Sequence, residues 1–257
     1  MELTRDEQSA LLDCMLEMGE LLLDAGAEIS RVEDTLSRMG RAYGAARMDV
    51  FVIPSLVSIG MAFAQGEGWT RTRRIHSNGL NDFYRLEKLN ALSRSCCAEP
   101  LPVAALREKL DAVAAGRKPF AVILGGSVLA AASFAIFFGG SAWDALVSAV
   151  FAVAIVLIQE RLGRTELDTV AFNLLVSLQI GLGVGVVCAF LPALHMDKIL
   201  IGDIMLLIPG LAMTNAVRNM LVGNTISGAV RLAESLIWAA ALAGGFMVAL
   251  LIVGAIF

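Results

Sequence analysis

Apolar positions recur at helical spacing near the start of the chain, alternate between residues 48 and 75, and return to helical spacing. From residue 119 they close up into long uninterrupted segments. Thr4 with Glu7 three residues later predicts a capping box, and Leu11, Leu12, Met15, Leu16, Met18, Leu22 and Leu23 continue as a helix that Gly26 ends. A second helix is predicted over 28–41, with Ile29, Val32, Leu36 and Met39 on one side. Val50, Phe51, Val52 and Ile53, then Leu56, Val57, Ile59, Met61 and Phe63, are β-branched or aromatic runs broken at Pro54 and Ser55. Gln65, Gly66, Glu67 and Gly68 read as a turn into a third strand, on which Arg71 and Arg73 share a face. Three antiparallel strands are few for a whole sheet but suffice with helices packed on them. Helices return after Asn78 and Gly79, marked by Leu86, Leu89 and Leu92, and again from Pro102 with Leu106 and Leu110.

Five apolar segments follow, at about 120–138, 143–158, 170–191, 199–218 and 232–257, each near the roughly 20 residues that a bilayer requires. The second is short unless it begins near Ser141 and carries Asp144 at an interface. Small residues are spread through them, and Gly181 with Gly185 makes a GxxxG contact that lets helix backbones approach closely. The stretch 219–228, where Gly223 and Gly228 enclose amide and hydroxyl groups, reads as a re-entrant turn or a cytoplasmic loop. The fold class that follows is α+β. An N-terminal cytoplasmic domain of helices flanking a small antiparallel sheet, residues 1–118, precedes an all-α polytopic membrane domain of five transmembrane helices, residues 119–257. Gly116, Arg117, Lys118 and Pro119 form the hinge between them.

Charge is segregated in the same way. Residues 1–118 hold 15 of the 20 Lys and Arg and 17 of the 24 Asp and Glu, so a soluble front meets a membrane back. A net charge of -4 leaves no basic stripe for nucleic acid. Arg117 and Lys118 precede the first segment, Arg161 and Arg164 follow the second, and Arg218 and Arg231 bracket the loop between the last two. The opposite loops hold Asp144 on one, and His195, Asp197 and Lys198 on the other. The positive-inside rule then places the N-terminus in the cytoplasm and the C-terminus outside. The acidic N-terminus shows no short apolar core with a cleavage site, which agrees with a cytoplasmic front domain. Cys14, Cys96, Cys97 and Cys188 have neither zinc-site nor disulfide spacing, and His76 and His195 are far apart, so no metal or cofactor is expected.

The costliest residues of the back lie in 199–218. Asp203 and Arg218 at membrane depth cost about 2.5–3.5 kcal/mol each on insertion scales, and such groups normally face a bundle interior or a watery cavity. Pro209 cannot donate to the carbonyl of Met205, and Gly210 follows it, so the helix is expected to break. At 3.6 residues per turn Asp203, Gly210, Thr214 and Arg218 fall along one stripe, with Asn215 beside it. These residues are expected to line a transport path, Asp203 exchanging a proton or cation and Arg218 attracting a carboxylate. A lipid-packed helix with a structural kink is the plainer alternative. Asn173 and Gln179 in the third segment either touch solute or bond across helices. In the front, Glu28, Arg31 and Glu33 crowd a helix start, where capping and i,i+3 pairing is the usual role. Arg71 and Arg73, followed by Arg74 and His76, present a basic strand face that either holds an anion or is simply solvated. No nucleophile–base order or phosphate-cradling loop accompanies them, so no catalytic residue is expected.

Three stretches in order carry a resemblance. Leu22-Leu23-Asp24-Ala25-Gly26-Ala27-Glu28-Ile29-Ser30-Arg31-Val32-Glu33-Asp34-Thr35 is followed by Val50-Phe51-Val52-Ile53-Pro54 and Thr70-Arg71-Thr72-Arg73-Arg74-Ile75. With Ile208-Pro209-Gly210 and Gly228-Ala229-Val230-Arg231, the chain resembles the threonine/serine exporter family over nearly its whole length. The resemblance implies an inner-membrane secondary exporter of small amino acids or, in some members, of succinate. One-chain members carry a second group of transmembrane helices, so this chain is similar to the larger subunit of the split form, which acts with a small all-membrane partner in succinate export. An odd count of five helices also leaves a repeat-built transporter incomplete without a partner. A membrane-anchored hydrolase using Glu28 or Glu33, or a solute-sensing regulatory protein, is the rival reading; a plain anchor needs neither five helices nor a buried Asp.

Overall fold

The computed structural model describes residues 3–64, 68–75, 82–116, 119–162 and 168–256. The predicted turn at Gln65, Gly66 and Glu67, the Asn78–Gly79 break, His76, the hinge residues Arg117 and Lys118, and Arg164 lie outside the described residues. The chain forms two compact units, Met1–Arg117 with Thr214–Arg231, and Lys118–Met213 with Leu232–Phe257.

The first unit is built around helix α1 (Arg5–Asp24). Its start is the capping box: Thr4 N donates to Glu7 Oε2 at 2.9 Å, and Glu7 N donates to Thr4 Oγ1 at 3.3 Å. These bonds hold the Glu7 carboxyl below the usual carboxylate range. Buried residues lie on nearly every side of α1, because it packs against α2 (Ile29–Ala42), α3 (Phe83–Ala98), α4 (Val103–Ala115) and a sheet. That sheet runs β1 (Ala45–Ile53), β2 (Leu56–Phe63) and β3 (Trp69–Arg74), antiparallel and in that order. Its register pairs Val52 with Val57 and Gly60 with Thr70. On β2 the alternation turns Val57, Ile59 and Met61 into the core beside Leu12, Met15 and Leu36, while Ser58 meets Thr72 on the outer face. Cys14 and Cys96 are buried, and burial pushes both thiols up, which fits small packing residues.

The second unit holds α5 (Phe120–Phe137), α6 (Ala142–Leu162), α7 (Thr169–Phe190) and α8 (Met196–Leu207), the first half of a broken helix whose second half, α9 (Gly210–Leu221), passes into the first unit at Thr214. The last helix, α10 (Thr225–Ile256), has 32 residues. Among the described residues four helices are long and apolar enough to cross a membrane, or up to five if the α8–α9 pair, bent by 53°, is one span. Phe137, Phe190, Leu129 and Leu251 are exposed, as suits side chains whose solvent is lipid rather than water. Ile155, Val176, Ile180, Val184, Ile199 and Phe246 form the core. Close approach depends on glycine, and a Cβ at Gly181 would lie 2.7 Å from Ala249 Cβ. At Gly202 a Cβ would lie 2.7 Å from the carbonyl of Ala131.

Two expectations are corrected. The stretch 219–228 is not one loop: α9 continues to Leu221, α10 begins at Thr225, and only a tight turn separates them. Gly223 at φ +95 closes that turn, with Asn224 N donating to Asn219 O at 2.9 Å. Gly228 serves close packing instead of a turn, its would-be Cβ lying 2.7 Å from the Ala216 carbonyl. The second apolar segment starts as its longer expected form does, at Ala142 beside Ser141 with Asp144 in the first turn, but its end at 158 is corrected, since α6 runs to Leu162.

Candidate functional site

Asp203 sits where α8 packs against α5 and α6. Ala131 and Ala135 of α5 leave room for Gly202, and that approach carries the next residue, Asp203, out of solvent to 0% exposure. Ser148 of α6, itself fully buried, donates its hydroxyl to Asp203 Oδ1 at 2.9 Å. The other oxygen, Oδ2, is buried with no hydrogen-bond partner among the described residues. Leaving a buried polar atom unmatched is costly, so a group in this position is commonly one that takes up a proton or a cationic partner.

A second buried carboxylate, Asp144, was not singled out as a site from sequence. Its Oδ2 accepts from Ser141 N at 2.7 Å and from Ser141 Oγ at 2.8 Å, while Asp144 N donates to Ser141 Oγ at 3.2 Å. Across to α8, His195 N donates to Asp144 Oδ1 at 2.7 Å, and His195 Nδ1 lies 2.9 Å from Oδ2. One carboxylate thus ties the first turn of α6 to the residue capping α8. The Ser-x-x-Asp spacing signals the first half; nothing in sequence signals the histidine 51 residues away.

The predicted break is present. Ile208 N donates to Ile204 O at 2.9 Å, Gly210 N to Ile208 O at 2.9 Å, and Met213 N to Pro209 O at 3.0 Å, so the ladder restarts around the proline. The predicted single-helix stripe of Asp203, Gly210, Thr214 and Arg218 is therefore divided between α8 and α9, two helices bent by 53°. Gly210 and Thr214 are exposed on α9, and Asn215 is partly buried. Arg218 Nη1 donates to Glu28 Oε1 of the first unit.

In α7, Asn173 and Ser177 are buried, and Ser177 Oγ donates to Asn173 O at 2.8 Å and to Leu174 O at 3.1 Å. A Cβ at Gly245 of α10 would collide with that Ser177 hydroxyl, so this face is a helix contact. Gln179 lies on the exposed side of α7, away from both residues.

The front-domain candidates separate. Glu28 caps α2 without a side-chain capping bond and reaches Arg218 instead. Arg31 is exposed. Glu33 Oε1 accepts from Val52 N of the edge strand β1 at 3.1 Å; burial pushes its carboxyl up, and the Val52 bond partly offsets this. The basic face of β3 is not simply solvated. Arg71 pairs with Asp13 and donates to Ser9 Oγ at 2.7 Å, and Arg73 donates to Glu20 at 3.1 Å. Arg107 meets Glu17 at 3.2 Å and Arg85 meets Asp24 at 3.5 Å. Asp13, Glu17, Glu20 and Asp24 recur every three or four residues, one acidic stripe on α1 bound by arginines from three elements.

The profile of the threonine/serine exporter family (ThrE) matches residues 13–253. No curated protein and no solved structure matches the chain.

Proposed function

We propose, from the premise that the chain belongs to the threonine/serine exporter family, that it is one subunit of an inner-membrane secondary exporter. Its solutes are small carboxylate-bearing metabolites, threonine and serine or succinate, and a second small all-membrane subunit completes it. The observation that carries the reading is Asp203, a carboxylate fully buried among membrane helices with one oxygen unmatched. In this scheme Asp203 exchanges the proton or cation that drives export, and Ser148 holds its carboxylate in place. The α8–α9 pair is the fifth span, broken at Pro209 and Gly210 as in transporters whose sites lie at discontinuous helices. Thr214, Asn215 and Arg218 follow on the second half, Arg218 receiving the solute carboxylate. Asn173 belongs to the packed α7 face, and of the two polar α7 residues the exposed Gln179 is the one placed to meet solute.

Residues 1–118 form the cytoplasmic domain and 119–257 the membrane domain, with the N-terminus in and the C-terminus out. The partner is supported by the odd count of spans that results when the α8–α9 pair is taken as the fifth.

Labelled threonine, serine and succinate are loaded into cells expressing this chain alone and then with a candidate partner. Efflux of one of them, lost in Asp203→Asn with membrane insertion unchanged, is expected. Equal efflux from the variant removes Asp203 from the mechanism, and no efflux of any solute in either setting overturns the exporter reading.

A further inference from the structure

The loop between α1 and α2, residues 25–28, is held by backbone hydrogen bonds at each residue. Ala27 N donates to Leu22 O at 2.9 Å and Gly26 N to Leu23 O at 3.0 Å, with Gly26 at φ +87, a turn that favours glycine. Asp82 N donates to Ala25 O at 3.1 Å, and Arg85 pairs with Asp24. The loop thus projects Glu28 as a fixed carboxylate, 19% exposed, onto Arg218, which remains 57% exposed. Glu is a poor choice for the N-cap position it occupies and makes no cap bond there. Among the described residues Arg218 meets Glu28 through one guanidinium nitrogen, Nη1, whereas the guanidinium carries five donors in a fork that matches a carboxylate with two bonds.

We infer that Arg218 is a carboxylate-exchange site: Glu28 is its resident occupant, and the carboxylate of a small solute displaces it, detaching the α1–α2 loop from α9. The inference rests on the exporter reading for the identity of that solute. A bidentate solute carboxylate makes two charge-assisted bonds where Glu28 makes one, so exchange is favoured once solute is present. The Glu28 side chain is what ties the loop to α9, so its displacement leaves the loop held by backbone hydrogen bonds alone, and these open more readily. Solute occupancy is thereby reported to the α1–α2 loop as breaking of one contact within the first unit, a two-state element biased by ligand. No bond other than hydrogen bonds is made or broken, and the charge at the site is conserved because one carboxylate replaces another.

The test is amide hydrogen exchange of the full chain in lipid nanodiscs, following residues 22–32 with threonine, succinate or threonine amide, which lacks the carboxylate. Threonine and succinate should raise exchange around Glu28, and threonine amide should not. Glu28→Gln should show the raised exchange without solute. Its half-maximal threonine concentration for flux should fall about tenfold, as expected if the competent state is populated to about a tenth before release. Arg218→Gln, which removes the guanidinium charge, should lose the difference between threonine and its amide. An unchanged exchange pattern with both carboxylates, or an equal response to threonine amide, overturns the inference. Asp203→Asn should keep the carboxylate response while losing export; an unmutated chain that shows the response with its partner present but exports no solute refutes the exporter reading alone.

Discussion

Among the described residues Ser148 has the one hydroxyl that meets Asp203, so Ser148→Ala leaves both carboxylate oxygens without a partner among them. A loss of about 1–3 kcal/mol is expected for such a deletion, and thermal unfolding in detergent should show it as a lower midpoint with partial export retained. Asp203→Asn keeps an acceptor for Ser148 and should unfold near the parent temperature while export falls. Equal melting of Ser148→Ala and the parent would mean the hydroxyl does not support the carboxylate. Glu33 gives a pH-dependent case. Its carboxyl is raised by burial, so the folded unit holds this proton more tightly than the unfolded chain does. Its contribution to stability is therefore full in acid and is lost as pH rises through the folded titration. Glu33→Gln keeps an acceptor for Val52 N without the charge. The melting temperature of the variant should exceed the parent's by a margin that widens from about pH 4, near the ordinary Glu value, to neutrality. A constant margin would assign the effect to something other than titration. Asp203 could be nominated from sequence because a carboxylate in an apolar run is costly. Its partner could not, since Ser148 is one of several hydroxyls in apolar segments and lies 55 residues away.

At the scale of elements, the α8–α9 break follows from Pro209, which gives the preceding turn no N–H, and the bend of 53° is its geometric result. Pro209→Ala should restore one ladder bond and straighten the pair. Spin labels on α8 and α9 are expected to report a longer, narrower distance distribution, with export reduced at least tenfold if the break is part of the path. An unchanged distribution would place the cause of the bend in packing. The crossing of α7 with α10 depends on Gly245 lying against Ser177. Gly245→Leu overpacks it and should cost about 1–3 kcal/mol, read as loss of folded protein after extraction; normal yield and melting would show that the helices can part. The acidic stripe of α1 is a different kind of contact. Each pair is partly exposed, so Glu20→Ala should cost only about 0–1 kcal/mol, and less at high salt. The helices of the front and the strand alternation were legible because periodicity is local. The roles of Arg71 and Arg73 were not, since a basic strand face looks the same whether water or an acidic helix covers it.

For the whole molecule, family membership and the count of four to five apolar helices make this a multi-pass membrane protein of a transporter family. The sequence by itself determined the order of elements, the three-stranded sheet, the apolar segments and the break at Pro209. Each of these is set by residues within one or two turns of each other, through periodicity, side-chain apolarity and the missing proline N–H. Tertiary structure alone decided which costly groups meet. Ser148 came to Asp203 because Gly202 allowed α8 against α5 and α6, and His195 came to Asp144. Glu28 came to Arg218 across 190 residues. Nothing local distinguishes a charge that will be paired from one that will be solvated, because the energy of either depends on what the fold brings within hydrogen-bonding distance.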